Sequence, residues 1–309
     1  MRLGFGQLLA KRLTPIMMPL FGINGSGAFA LVMGLVSGFP IGAMITMDLY
    51  KEKLLSNREA ARLLAFTNNA SPLFVIGTVA IGFYAMPQIG FVLVGCQVAS
   101  ALTVGLLLRL MARQEVARMP VNFPIVAKRV HVGRIFGECI ENSVSVMGNI
   151  CGFIVFFSVI IGLLGQIPHC PQALMAGFLE ITAATGLIFH SDALPLILKL
   201  SATSLVLGWS GLSVHAQVVS VVGDSDISLI PYFAGKMLQG VFAALYTYVY
   251  FTLCPLQQSV FSQSVPHMTQ ATPPSIGMMV LFAVTFWLLS IALLMLLSMP
   301  FRGIMHKHH

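Results

Sequence analysis

Apolar residues run along this chain in segments of membrane length, and the places where those segments fail are the informative ones. A helix rises 1.5 Å per residue and needs about 20 apolar residues to cross a bilayer. Residues 1–26 are mixed, carry Arg2, Lys11 and Arg12, and read as a cytoplasmic or interfacial segment. Gly27 to Val36 and the stretch after Ala43 to about Leu55 are each too short to span. Joined through Ser37-Gly38-Phe39-Pro40-Ile41-Gly42-Ala43, they read as the two arms of a re-entrant hairpin. Arg58 to Tyr84 is a full span broken at Asn68–Pro72, and Pro87 to Leu110 is unbroken. A basic loop (111–136) and a connecting span (137–164) follow. The pattern then returns: short arms around Gly177–Thr182 within Gln172–Leu198, a span from Lys199 to Val222 broken at Gly208–Ser213, and an unbroken span from Leu229 to Leu253. An uncharged polar loop leads to a final span at 275–298.

Hairpin, broken helix and plain helix therefore occur twice, over 27–110 and 172–253. Gly38 and Gly177 lie 139 positions apart and Ser71 and Ser213 lie 142 apart, the shared spacing expected of an internal repeat. A single span joins the units, so the second is expected upside down relative to the first. Basic residues support that arrangement. If both hairpins return to the side they enter, Lys51–Arg62, the 111–136 loop and the tail with Arg302 and Lys307 share one side. Of the 17 Lys and Arg residues only Lys199 falls clearly opposite, which makes the basic side cytoplasmic. The expected fold class is an all-α polytopic membrane protein built from two inverted repeats.

Composition alters this picture only by exclusion. A net charge of +7 would suit nucleic acid, but 57% of residues are apolar, 9% are charged, and the basic ones sit in short loops. No nucleic-acid partner is expected; the bilayer is. Met1–Lys11 lacks the long apolar core and small-residue cleavage pattern of a signal peptide. Cys96 and Cys151 read as packing residues, a Cys170–Cys254 disulfide has little support, and the His306–His309 tail reads as solvated rather than metal-binding. Neither GxSxG nor HExxH occurs, and Ser213 and His215 point in different directions on a helix, so no enzyme is expected.

The chemistry is expected at the four interruptions, because unwound backbone at membrane depth survives only where it lines a cavity or is buried in protein. The candidate solute-binding residues are Gly38, Pro40, Gly42, Asn68, Asn69, Ser71, Glu180, Thr182, Ser210, Ser213, His215 and Gln217. Ser71-Pro72 is a good helix restart, with serine as N-cap and proline at the first helical position. Its N–H groups and dipole would face a solute beside Asn68 and Asn69. Ser210 or Ser213 is expected to cap the second restart, and the backbones at Gly42 and Thr182 to add N–H donors. Converging helix starts with neutral amides and hydroxyls suit a small anionic solute bearing carboxylates. Glu180 reads two ways, as a group that takes up a coupling H+ or Na+, or as a carboxyl that staples its hairpin. His215 reads as a packed, hydrogen-bonded group before a proton carrier, and Lys236 as a residue snorkelling to the cytoplasmic interface before a group that attracts an anion. Asp48, Glu138 and Glu141 are expected near membrane boundaries, and His190 and Asp192 towards the opposite side. No cofactor or metal is expected; a homo-oligomer is compatible with these features.

Ser37–Ala43, Glu59 with Arg62-Leu63-Leu64, Phe66 with Asn68–Pro72, Glu180-Ile181-Thr182 and Gly211–Gln217 together closely resemble the YlbJ-type sporulation integral membrane proteins. These carry the "nucleoside recognition" or Gate domain, which in turn looks like the hairpin-and-broken-helix core of concentrative nucleoside transporters. The resemblance runs through both repeats. It implies a mother-cell protein needed for spore formation, in the outer forespore membrane, that moves dipicolinic acid. Other Gate-type solutes (a nucleoside or an ion) and a non-transporting scaffold of spore assembly are the alternatives. Relatives usually open with a further apolar span, which is missing before Met1.

Overall fold

Short polar signals set where helices start. Ser56 accepts from the Glu59 N–H and the Glu59 carboxylate accepts from the Ser56 N–H, a reciprocal capping box that opens the helix after residue 56. The same carboxylate accepts the Asn24 N–H at 2.8 Å, and Arg62 donates to the Gly22 carbonyl at 2.8 Å. One turn of helix thus locks the Gly22–Ser26 loop, which gives the Glu59 and Arg62 pair a structural task.

In the computed structural model, residues 5–111, 132–167 and 172–256 are described. They form α1 Phe5–Phe21, α2 Gly27–Ser37, α3 Ile41–Lys51, α4 Asn57–Thr67, a π-helical segment Phe74–Phe83, α5 Pro87–Met111, α6 Val132–Leu164, α7 Gln172–Leu179, α8 Ile181–Phe189, α9 Leu196–Trp209, α10 Gly211–Val222 and α11 Ile230–Leu253. No strand occurs among the described residues. Among the described residues, three helical stretches are long and apolar enough to cross a membrane: Pro87–Met111, Phe136–Leu164 and Leu196–Val222. The expected last span, most of the basic loop and Cys170 lie outside the described residues.

Both short-armed segments fold as pairs of helices in mutual contact, α2 with α3 and α7 with α8. The first pair turns at Gly38–Pro40, where Gly38 has φ +83° and ψ −175° and the Phe39–Pro40 peptide is cis. That backbone region is essentially restricted to glycine. The second pair turns at Glu180 alone, which is extended. Within the N-terminal segment, α1 buries Met17 and Phe21, and the Phe21 ring stacks on Phe66 of α4 at 5.1 Å.

The longest helices are turned inside out relative to those of a water-soluble protein. On α11, Tyr232, Lys236, Gln239, Ala243 and Thr247 share one face and are all fully buried. The opposite face exposes Met237, Val241 and Leu245. A polar inside and an apolar outside is the pattern lipid demands. At about 36 Å, α11 matches a bilayer in length, and the polar stripe is what lowers its hydropathy. Outer apolar surface is most extensive on α6, where Val144, Met147, Val155, Phe156, Val159 and Leu163 are exposed. Cys151 is exposed there too, so it is not the packing residue its apolar neighbourhood suggested; Cys96 is buried.

Candidate functional site

Each hairpin sits directly on a helix break. A side chain on Gly34 or Gly42 would collide with the Thr67 carbonyl at the end of α4, and one on Gly38 would lie 2.7 Å from the Ser71 Cβ. In the second half, a side chain on Gly211 would lie 3.0 Å from the Leu179 carbonyl oxygen, beside the Glu180 turn. Glycine at these points lets backbone approach backbone.

The breaks differ in form. In the first, Asn68–Ser71 are unwound, Pro72 re-enters helix, and the Ser71 hydroxyl accepts the Phe74 N–H at 3.2 Å, the expected cap. The second is a single residue, Ser210, in the left-handed region at φ +76°. The Ser210 hydroxyl donates backwards to the Leu207 carbonyl, and the Ser213 hydroxyl has no partner, so neither serine caps α10. With no unwound stretch between α9 and α10, no side chain is placed to fold back onto the new N–H groups.

A cavity of about 140 Å³ lies where these parts converge. Its walls include Ser37, Gly38 and Phe39 from the first hairpin, and Ser71 and Phe74 from the first restart. Glu180, Ile181 and Thr182 come from the second hairpin, Ser213, Val214 and Gln217 from α10, and Ile150 and Ile154 from α6. Ligand pockets usually span about 300–1,000 Å³, so this one suits a single-ring solute or a few waters. Of the expected residues, Gly38, Ser71, Glu180, Thr182, Ser213 and Gln217 line it. Pro40, Gly42, Asn68, Asn69, Ser210 and His215 are buried but are not part of its wall.

Glu180 caps α8: its two carboxylate oxygens accept the Thr182 N–H at 3.0 Å and the Ala183 N–H at 2.8 Å. Its charge faces the positive end of that helix. This geometry is the stapling role, and it corrects one expectation. The Thr182 N–H is committed to Glu180 and is not free for a solute.

Behind the cavity runs a buried polar network in which sequence reading singled out Asn68, Asn69 and His215, misplaced Lys236 and missed Tyr232 and Gln239. Lys236 is fully buried, and its ammonium donates to the Asn68 carbonyl at 2.9 Å and to Gln239 Oε1 at 2.8 Å. It does not snorkel: it sits on the inner stripe of α11, turned towards the first break. Gln239 in turn donates to Asn69 Oδ1 at 2.6 Å, and Asn69 donates to the Phe66 carbonyl at 2.8 Å. Four residues before Lys236, the Tyr232 hydroxyl pairs with His215 Nδ1 at 2.8 Å. His215 is otherwise wrapped by Trp209 and Phe233, ring centroids 4.3 and 5.1 Å away, as a packed histidine should be. The usable signal was periodic: the polar residues of α11 recur every three or four positions, which marks an inward face rather than a terminus.

Cross-bracing links the two halves. Gln239 on α11 holds the first broken helix, while Gln97 on α5 donates to the Ser204 carbonyl of α9, in the second, at 2.9 Å. Gln97 and Gln239 lie 142 positions apart, the spacing of Ser71 and Ser213.

Among curated proteins, the chain is 34% identical over 282 residues to the sporulation integral membrane protein YlbJ of Bacillus subtilis (strain 168), covering 79% of this chain and 69% of that one. The chain belongs to the YlbJ family of sporulation integral membrane proteins. No protein-family model matches it, and no solved structure does. The stretches that resemble YlbJ-type proteins fall on the parts just described. Ser37–Ala43 is the first hairpin turn, Phe66–Pro72 the first break, Glu180–Thr182 the second turn and Gly211–Gln217 the start of α10. In this YlbJ-family chain four of those five stretches meet the cavity or its network, and Glu59–Leu64 secures the helix leading into it.

Proposed function

We propose that this YlbJ-family membrane protein transports a small organic anion during sporulation, with dipicolinic acid across the outer forespore membrane as the solute that the resemblance implies. The observation that carries the reading is a cavity walled by both hairpin turns and both interrupted helices. Secondary transporters use such discontinuous helices to build a midplane site at the interface of inverted repeats. The recurring order of elements and the reciprocal glutamine braces favour two inverted repeats, each with a re-entrant hairpin, with the basic loops and C-terminus cytoplasmic. Alternating access would open the cavity to each side in turn, with H+ or Na+ as coupling ion.

The test is flux of labelled dipicolinate into liposomes containing purified protein. Uptake above protein-free vesicles, competed by excess unlabelled dipicolinate but not by uridine, is the expected result. Competition by uridine would favour a nucleoside transporter. No flux from folded protein would leave a scaffold of spore assembly as the better reading.

A further inference from the structure

The cavity wall poses an electrostatic problem for an anion. Among the described residues that line it, Glu180 is the only ionisable one, and it is acidic. The nearest answer is the network behind the first break. Lys236 has three N–H donors and uses two on neutral carbonyl oxygens; among the described residues no acidic side chain bears on it. An ammonium taken wholly out of water without a counter-charge is costly, and proteins normally pair it.

A second, independent observation comes from the residue it holds. The Asn68 side chain is fully buried, yet neither Nδ2 nor Oδ1 has a hydrogen-bond partner. The Tyr232 hydroxyl bears on it, but is engaged with His215 Nδ1 at 2.8 Å. His215 Nε2 and the Ser213 hydroxyl, both on α10 and both buried, are also unpartnered. Buried polar groups are nearly always satisfied, and an unpartnered amide on the residue whose carbonyl holds an unpaired cation asks for a missing ligand. Lys236 also secures the Asn68 carbonyl at the first break, but two neutral acceptors leave its charge unmatched. Residue 94, 142 positions before Lys236, is Val, and α5 braces α9 through Gln97 without any charge.

We infer that Lys236 and the Asn68 amide form a carboxylate-binding subsite beside the cavity. The ammonium's third N–H and the Asn68 Nδ2 donate to the two carboxylate oxygens, and the Tyr232 hydroxyl and His215 border the place. The solute class is taken from the transport reading above, whereas the subsite stands on the network's own geometry. Lys236 then determines specificity: it selects carboxylates over neutral solutes of the same shape.

The experiment compares pyridine-2-carboxylate with its neutral isostere pyridine-2-carboxamide, by thermal unfolding and by calorimetry of the purified full chain in detergent. The carboxylate raises the wild-type unfolding temperature and the carboxamide does not. Lys236→Met weakens carboxylate binding by about tenfold or more, while Lys236→Arg keeps the preference. Equal response to both compounds, or no response of the wild type, overturns the subsite without reference to any variant. So does a folded Lys236→Met protein that binds as the wild type does. Flux separates the two ideas: Lys236-dependent binding with no dipicolinate flux removes transport and keeps the subsite. Dipicolinate flux with unchanged apparent affinity in Lys236→Met removes the subsite and keeps transport.

Discussion

Gly38→Ala is the sharpest perturbation of the seam between the first hairpin and the first break. The backbone at Gly38, φ +83° and ψ −175°, is a conformation that an L side chain enters at a cost of about 1–3 kcal/mol. The new methyl carbon would also meet Ser71 at 2.7 Å from Cβ and 2.8 Å from N, where contact is normally no closer than about 3.4 Å. Overpacking of this kind adds about 1–3 kcal/mol, so the change should destabilise the protein by about 2–6 kcal/mol. That is a large part of the margin typical of a folded protein. The control is Gly95→Ala on α5, where nothing lies within 4 Å of the added carbon. There the gain in helix propensity should stabilise by up to about 1 kcal/mol. Thermal unfolding of both variants in the same detergent should show Gly38→Ala falling by about 5 °C or more, with Gly95→Ala unchanged or higher. A Gly38→Ala protein that melts with the wild type would refute the claim that hairpin and break touch backbone to backbone.

Three further outcomes follow from the same packing. Gly208→Ala puts a carbon 2.6 Å from the Gly240 Cα, so α9 and α11 must separate; a loss of about 1–3 kcal/mol is expected in thermal unfolding, and none would mean the helices do not cross there. Glu59→Ala removes the capping box and leaves the Asn24 N–H unpaired. The expected cost is about 2–4 kcal/mol, with Glu59→Gln milder because one acceptor oxygen remains. For the inverted arrangement, single cysteines at the exposed positions Lys53 and Ala193 in a cysteine-free background should react with a membrane-impermeant maleimide from opposite faces; labelling from the same face would argue against it.

The interruptions were readable because their residues are chemically loud. Gly38 before Phe39-Pro40, Asn68-Asn69 before Ser71-Pro72, and Gly208 to Gly211 cannot continue a regular helix in lipid without a reason. Glu180 was legible as a choice between two roles, and its bonds to Thr182 and Ala183 display one of them. The capping of α10 was misread because Ser210 in a Gly-Trp-Ser-Gly context resembles an N-cap, while the left-handed turn it adopts aims its hydroxyl back at Leu207. Lys236 was misplaced for a different reason. Seven positions into a 24-residue helix, a long basic side chain can reach either the interface or the interior, and the choice depends on Asn68 and Gln239 being there to receive it. The partner at Asn68 is 168 residues away in sequence, and no local pattern announces it.

Among the described residues, α6 forms one wall of the cavity. Ile150 and Ile154 of α6 face the hollow, and one residue further round, Val155 and Phe156 face outward. Acyl chains packed against this face would lie on the far side of the same turns that bound the pocket, and their length and packing would bear on its shape. Lipid thickness is then a variable of the transport assay in its own right.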